Sequence, residues 1–167
     1  LEMLPDSAAP SGIDFIEVKA EDTSAIEELL AQLGFTSRGR HRTKPVTLWT
    51  AGEARVILNE QQARGWDPRL AAIGLEVDDA EAVDLRMSQL GVPRAYRRTY
   101  ATEERLDGAV ASDGTEVYWA QAADEGEPAW VAEFEHGEPR RDTAIAGVDH
   151  VSLSQPWDAI EEATLFY

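Results

Sequence analysis

Three short stretches of this chain open with the same alternation of apolar and polar positions. They are Gly12-Ile13-Asp14-Phe15-Ile16-Glu17-Val18, Ala72-Ile73-Gly74-Leu75-Glu76-Val77 and Gly147-Val148-Asp149-His150-Val151-Ser152-Leu153. A period of two predicts a strand at each. A helical pattern follows each strand. Over 23–33, Ile26, Leu29, Leu30 and Leu33 form one apolar stripe, with Asp22 or Thr23 as the cap and Gly34 as the stop. Over 79–90, Val83, Met87 and Leu90 share a face and Gly91 ends it. A third helix begins near Asp158, carries Ile160, Ala163 and Tyr167, and has no terminator.

Strand patterns return after the first two helices. In the first unit they cover 36–42, 46–51 and 54–59, with a hairpin signal at Ala51-Gly52-Glu53. In the second they cover 94–99, 106–111 and 116–121, with Asp113-Gly114 at the turn. The predicted fold class is therefore α+β. Two βαβββ modules, 12–62 and 71–121, are followed by the start of a truncated further domain over 147–167. Two such units side by side make a curved sheet with helices outside and a shared concave face inside. Residues 1–11, with Pro5 and Pro10, read as a linker, and 122–146 as an acidic linker carrying Asp124, Glu125, Glu127 and Glu133. Within the second linker, Trp130, Val131 and Phe134 give it something to bury.

Composition narrows the function classes. A hydrophobic content of 43% supports a packed core. The net charge of −17 disfavours nucleic acid and anionic membranes as partners. There is no Cys, hence no disulfide framework and no thiolate metal site, which is compatible with the cytoplasm. No apolar run is long enough for a membrane span, and Leu1-Glu2-Met3-Leu4-Pro5 lacks the basic start and apolar core of a signal peptide. That opening suggests a chain cut from a longer polypeptide or carrying a cloning scar. No Walker loop, dinucleotide fingerprint, nucleophile elbow or His-Glu-x-x-His motif occurs.

Alternation places Phe15, Glu17 and Lys19 on one strand face, with Ile16 and Val18 under the helix. Glu17 and Glu76 then point into the concave face. Arg38, Arg40 and Arg42 alternate along one strand, and Arg97 and Arg98 lie on its counterpart. Glu17, Arg40, Arg42 and Glu76 are the candidate ligand-binding residues, with arginine clamping a small carboxylate. Glu–Arg pairing that neutralises a polar sheet face is the commoner use of such a pattern. His41, without an evident partner in sequence, reads as a hydrogen-bonded structural residue and His136 as a solvated loop residue. Trp49, Trp119, Trp130 and Trp157 read as core or interface. No residue is singled out as catalytic.

The repeated unit resembles the vicinal-oxygen-chelate superfamily of glyoxalases, extradiol dioxygenases and bleomycin-resistance proteins. Gly12 to Val18, Leu33-Gly34-Phe35, the run from Arg40 to Trp49, and Val56-Ile57-Leu58-Asn59 resemble the N-terminal half of 4-hydroxyphenylpyruvate dioxygenases. Gly147-Val148-Asp149-His150 resembles the start of that family's catalytic half. The resemblance implies a metal-free first half and an Fe(II) site of two His and one Glu in the second. Only His150 carries over, as the first ligand of an incomplete site, and a single imidazole is not a site. At the matching position the first module has Phe15 and the second Gly74, and neither binds metal.

Two stretches, Ala72 to Asp79 and Asp113-Gly114-Thr115-Glu116-Val117, look more like a bacterial group in which such a pair of halves is fused behind a TIM-barrel 3-dehydroshikimate dehydratase. The resemblance thus implies an accessory module of an aromatic-catabolism enzyme. It needs no cofactor of its own, although Fe(II) or another divalent metal would serve the full-length parent. Its implied partners are the remainder of that parent, a second copy of itself, or a small carboxylate. The alternatives are the N-terminal half of an Fe(II)-dependent 4-hydroxyphenylpyruvate dioxygenase and a stand-alone binding protein of the bleomycin-resistance type.

Overall fold

The computed structural model describes residues 9–61, 68–135 and 143–167. The reading of His136 lies outside the described residues. The elements in chain order are β1 (Gly12–Lys19), α1 (Ser24–Gln32), β2 (Thr36–Arg40), β3 (Val46–Ala51), β4 (Ala54–Asn59), β5 (Arg69–Val77), α2 (Ala80–Gln89), β6 (Asp107–Val110), β7 (Glu116–Gln121) and α3 (Ile160–Phe166). One seven-stranded sheet runs β2-β3-β4-β1-β5-β7-β6. The two modules meet at β1 and β5, which pair antiparallel, while each pairs in parallel with the last strand of its own module, β4 or β7. This is the α+β double module that the repeated openings predict.

Helix α1 covers one side of the first half. Leu30, Val56 and Leu58 are buried there with Ile16, Val18, Ile26 and Phe35 around them. Gly34, at φ +93°, stops the helix, a left-handed conformation that costs glycine little. In the second half Asp79 caps α2 by accepting from the Ala82 N–H at 2.9 Å. Val83 and Met87 of α2 pack on Val77, Ala109 and Trp119, joined by Phe166 of α3. Among the described residues no helix is long and apolar enough to cross a membrane.

The sequence pattern departs from the structure in two places. The stretch 94–99 forms no strand. Arg94 makes one bridge to Ala109, the Ala95 N–H reaches the Gly108 carbonyl at 2.9 Å, and pairing then ends. Beyond Ala95, Arg97 lies over the Tyr118 ring and meets Glu17 on the concave face, so the segment leaves the sheet edge to cross that face. The third opening, 147–153, pairs with no strand among the described residues. Alternation supplies only one side of a ladder, and a strand needs a neighbour. Nearby, the Glu53 N–H donates to the Ala146 carbonyl at 2.6 Å, and the Gln155 amide donates to Asp113 Oδ2 at 2.5 Å. Residues 146–155 thus touch the turns of the β3–β4 and β6–β7 hairpins.

Candidate functional site

The concave face has two ends of different character. At one end residues 127–134 lie across it as a strap. A short 3-10 turn, Ala129–Glu133, presents Trp130 and Val131, and Phe134 follows; all three are buried against Phe15, Leu48, Ile57 and Ala120. The Trp130 ring stands edge-on to Phe15, with centroids 5.3 Å apart, and Phe134 packs edge-on to His41 at 5.1 Å. Burying these rings on the sheet supplies the hydrophobic gain that holds the strap down.

The carboxylates at and beneath the strap have partners, while Arg38 Nε is buried without one. The Trp130 indole N–H donates to Asp14 Oδ2 at 2.8 Å, while Arg55 holds Asp14 Oδ1 at 3.0 Å. A bulge between Ile13 and Phe15 brings Asp14 inward beside Phe15, against the simple alternation. Burial pushes the Asp14 carboxyl above the usual carboxylate range, and the Trp130 and Arg55 donors oppose that rise. Arg38 holds Glu127 with both terminal nitrogens, at 2.6 and 3.0 Å. Glu133 accepts from His41 Nε2 at 2.8 Å and from the Glu104 N–H.

His41, Glu103 and Glu133 bring three ligand atoms within 4.8 Å of one another, a group that could hold a metal ion by proximity. The hydrogen bonds do not fit one. The Thr43 and Lys44 N–H groups donate to His41 Nδ1, at 3.1 and 3.3 Å. The ring proton therefore sits on Nε2, facing Glu133, and the Nδ1 lone pair is taken by the two backbone donors, so neither nitrogen is free for a metal. Glu103 is taken by Lys44 and Thr43. Burial raises its carboxyl, but those donors outweigh burial and bring it down to about 2. Burial holds the His41 imidazole below its ordinary value, in keeping with a neutral ring.

The two positions that match His150 in the repeat meet face to face. Phe15 pairs with Gly74 across β1 and β5, and the Phe15 ring fills the space where a Gly74 Cβ would stand. The first two modules therefore put a phenyl ring on bare backbone at the point where the repeat could offer two metal ligands.

The other end of the concave face is an open cleft of about 430 Å³. Its floor is Glu17, Asn59 and Tyr118. The Asn59 amide donates to Glu17 Oε1 at 2.6 Å, Arg97 lies 3.5 Å from Glu17 Oε2, and the Arg97 guanidinium stands 5.3 Å over the Tyr118 ring. The Tyr118 hydroxyl donates to Glu116 at 2.7 Å, and burial pushes its phenol well above the ordinary range. Lys19, Lys44 and Arg98 line the walls.

Of the residues singled out from sequence, Glu17 lies in this cleft. Glu76 lies near the opposite end of the β1–β5 ladder, half-buried, accepting from the Ser11 hydroxyl at 3.0 Å. Arg40 and Arg42 are exposed. Two residues of β2, Arg38 and Gly39, stand against one of β3, Leu48, between the Ser37–Trp49 and Arg40–Thr47 pairs, and Gly39 has φ +81°. That bulge breaks the alternation, so Arg38 and His41 turn inward and Arg40 and Arg42 outward. His150 is exposed, with Nδ1 2.9 Å from Asp149. Lys19, Arg97 and Arg98 were named in the sequence pattern but not as site residues. What could have raised them is that the strand face shared by Glu17 and Lys19 must meet whatever lies beyond Pro93.

Comparison with known proteins supports the family and the fold. The family described as hydroxyphenylpyruvate dioxygenase, HPPD, N-terminal, matches residues 6–135. A 3-dehydroshikimate dehydratase of Pseudomonas aeruginosa is 32% identical over 98% of this chain and 27% of its own length. A 4-hydroxyphenylpyruvate dioxygenase of a Pseudomonas species is 25% identical over 74% of this chain and 36% of its own. The chain thus spans about a third or less of the curated relatives it matches. A solved structure described as a xylose isomerase-like TIM barrel/4-hydroxyphenylpyruvate dioxygenase fusion protein superposes with a TM-score of 0.80 at 22% identity. The match covers all of this chain and 28% of that one, and at that identity it speaks for the fold.

Proposed function

We propose, for a chain that belongs to the hydroxyphenylpyruvate dioxygenase N-terminal family, that it is a metal-free, non-catalytic module of a larger aromatic-catabolism protein of the 3-dehydroshikimate dehydratase type. The observation that carries this reading is the stacking of Phe15 on Gly74 beneath the Trp130 strap. A metal site between the modules needs side-chain donors and room for substrate. Here the donor positions hold a phenyl ring and a glycine, and the room is filled by the chain itself. The dehydratase relative, matched over 98% of this chain, supports the choice of parent. In such a parent the module would serve packing or assembly, and the Fe(II) implied by the wider family would be held by residues other than these.

The test is an assay of the full-length parent on 3-dehydroshikimate, following the aromatic product by absorbance, beside a variant that lacks this region. Both should form product, and metal analysis of the isolated 167-residue chain should find no stoichiometric iron, zinc or manganese. A parent inert on that substrate would sink the dehydratase part. The alternative favoured by the family match, the first half of an Fe(II)-dependent dioxygenase, would then be tested with a 4-hydroxyphenyl keto acid, iron and oxygen. Metal bound at one equivalent by the isolated chain would sink the metal-free part.

A further inference from the structure

We propose that the open end of the concave face binds a small aromatic carboxylate, with Lys19, Arg97 and Arg98 holding the acid group and the Tyr118 and Tyr100 rings beside the aromatic body. The inference goes beyond the assignment of the parent, because binding is read on this chain alone.

Charge is the first argument. The chain carries a net charge of −17, yet four cations, Lys19, Lys44, Arg97 and Arg98, line this cleft against two carboxylates, Glu17 and Glu116. Glu103 pairs with Lys44 and Glu17 with Arg97. Among the described residues no carboxylate pairs with Lys19 or Arg98, and Glu116 is engaged by the Tyr118 hydroxyl. In so acidic a protein, two cations at one cleft without a carboxylate partner form a local positive field that draws an anion.

Preorganisation is the second. Glu17 and the Tyr118 ring fix the Arg97 guanidinium from two sides, and the Asn59 amide in turn holds Glu17. Arg98 stacks on the Tyr100 ring with its centre 4.8 Å from the centroid. Cations fixed in this way lose little freedom when they engage a carboxylate. Size and surface are the third. A cleft of about 430 Å³ falls in the range of small-molecule sites, and the tyrosines, Pro45 and Val46 give it flat apolar walls suited to a planar ring.

The experiment is calorimetric titration of the chain with 4-hydroxybenzoate, with cyclohexanecarboxylate and inorganic phosphate as comparison probes. Lys19→Ala and Arg98→Ala are the test variants, and Arg105→Ala, an exposed arginine away from the cleft, is the control for net charge. Saturable binding of 4-hydroxybenzoate is expected, weakened about tenfold or more by either test variant and unchanged by the control. It should also weaken as salt is raised. Absence of binding at millimolar ligand would overturn the proposal, as would loss of no affinity in the two variants. Equal binding of phosphate or of the saturated ring would overturn its aromatic part and leave a plain anion site. Circular dichroism of each variant separates a lost contact from a lost fold.

Discussion

The two ends of the concave face are built from the same strands and treated in opposite ways. At the strap end Phe15, Leu48 and Ala120 are covered by Trp130, Val131 and Phe134, and the buried polar groups Asp14, Arg55, His41 and Glu133 all have partners. At the open end the next residues along the same strands, Glu17, Lys19, Asn59 and Tyr118, face a cleft, and two cations on its walls pair with no carboxylate among the described residues. A curved sheet leaves a hollow, which the chain can fill or leave open. This chain does one at each end. The difference predicts that substitutions under the strap act on stability, and substitutions at the cleft act on binding.

The largest stability effect should come from Trp130. Trp130→Ala removes the ring that packs on Phe15 and leaves Asp14 Oδ2 without its donor, and should cost about 3–5 kcal/mol in denaturant unfolding. Trp130→Phe keeps most of the volume and loses only the indole N–H, and should cost about 1–3 kcal/mol. If the two variants unfold at the wild-type denaturant concentration, the strap is not part of the cooperative fold, and the contrast between the ends disappears.

The next effect tests the Phe15–Gly74 stack. Gly74→Ala drives a methyl into the Phe15 ring and should cost about 1–3 kcal/mol. Phe15→Leu opens that space. In the double variant the two costs should therefore sum to less than the separate measurements predict, with a coupling above about 0.5 kcal/mol. Strict additivity would mean that the two positions do not compete for one space, and would remove the argument that they exclude a metal.

The outcome for the fold and the outcome for the site have different causes. Periodicity located α1, α2, β1 and β3 because each turns one face to the core, β4 showed as a short apolar run buried on both faces, and the turns at Gly52 and Gly114 needed positive φ. The two repeats implied a shared sheet because neither module can cover its own inner face. Periodicity could not place Arg40 and Arg42, since the bulge before Arg40 shifts every later side chain by one face. Nor could it see that Arg97 crosses the sheet, because the partner that holds it, Glu17, is 80 positions earlier in the chain. The strap was visible only as three apolar residues in an acidic run. That they must be buried follows from composition, whereas where they are buried is a tertiary fact.

A smaller effect is expected at His41, and its sign follows from the direction of its shift. Burial holds the folded imidazole below its ordinary value of 6.5. Below pH 6.5 the unfolded chain takes up a proton that the folded chain refuses, so stability falls as pH falls through that window. The loss between pH 6.5 and 5.5 should be on the order of 1 kcal/mol or less. His41→Gln keeps a donor toward Glu133 and removes the titration, so the slope in this window should flatten. Glu103 acts lower down: its contribution is present above the ordinary value of 4.5 and is lost as pH falls toward about 2. Asp14, shifted upward, works the other way and favours the folded state as pH falls. An unchanged slope in the His41 variant would mean that His41 does not sit as a neutral buried ring at the strap.

The smallest stability effect should come from the cleft, and its smallness is the informative part. Lys19 and Arg98 make no ion pair among the described residues, so Lys19→Ala and Arg98→Ala should change unfolding free energy by no more than about 0.5 kcal/mol. Removing a cation from a positive cleft relieves repulsion between Lys19, Arg97 and Arg98, so a slight stabilisation is the expected sign. Raising the salt concentration should shrink that gain, because screening already does the same work. A residue held for packing would behave in the reverse way, destabilising on removal with little response to salt. If either substitution costs as much as Trp130→Phe, the cleft is held together as tightly as the strap end, and its cations belong to the fold rather than to a ligand.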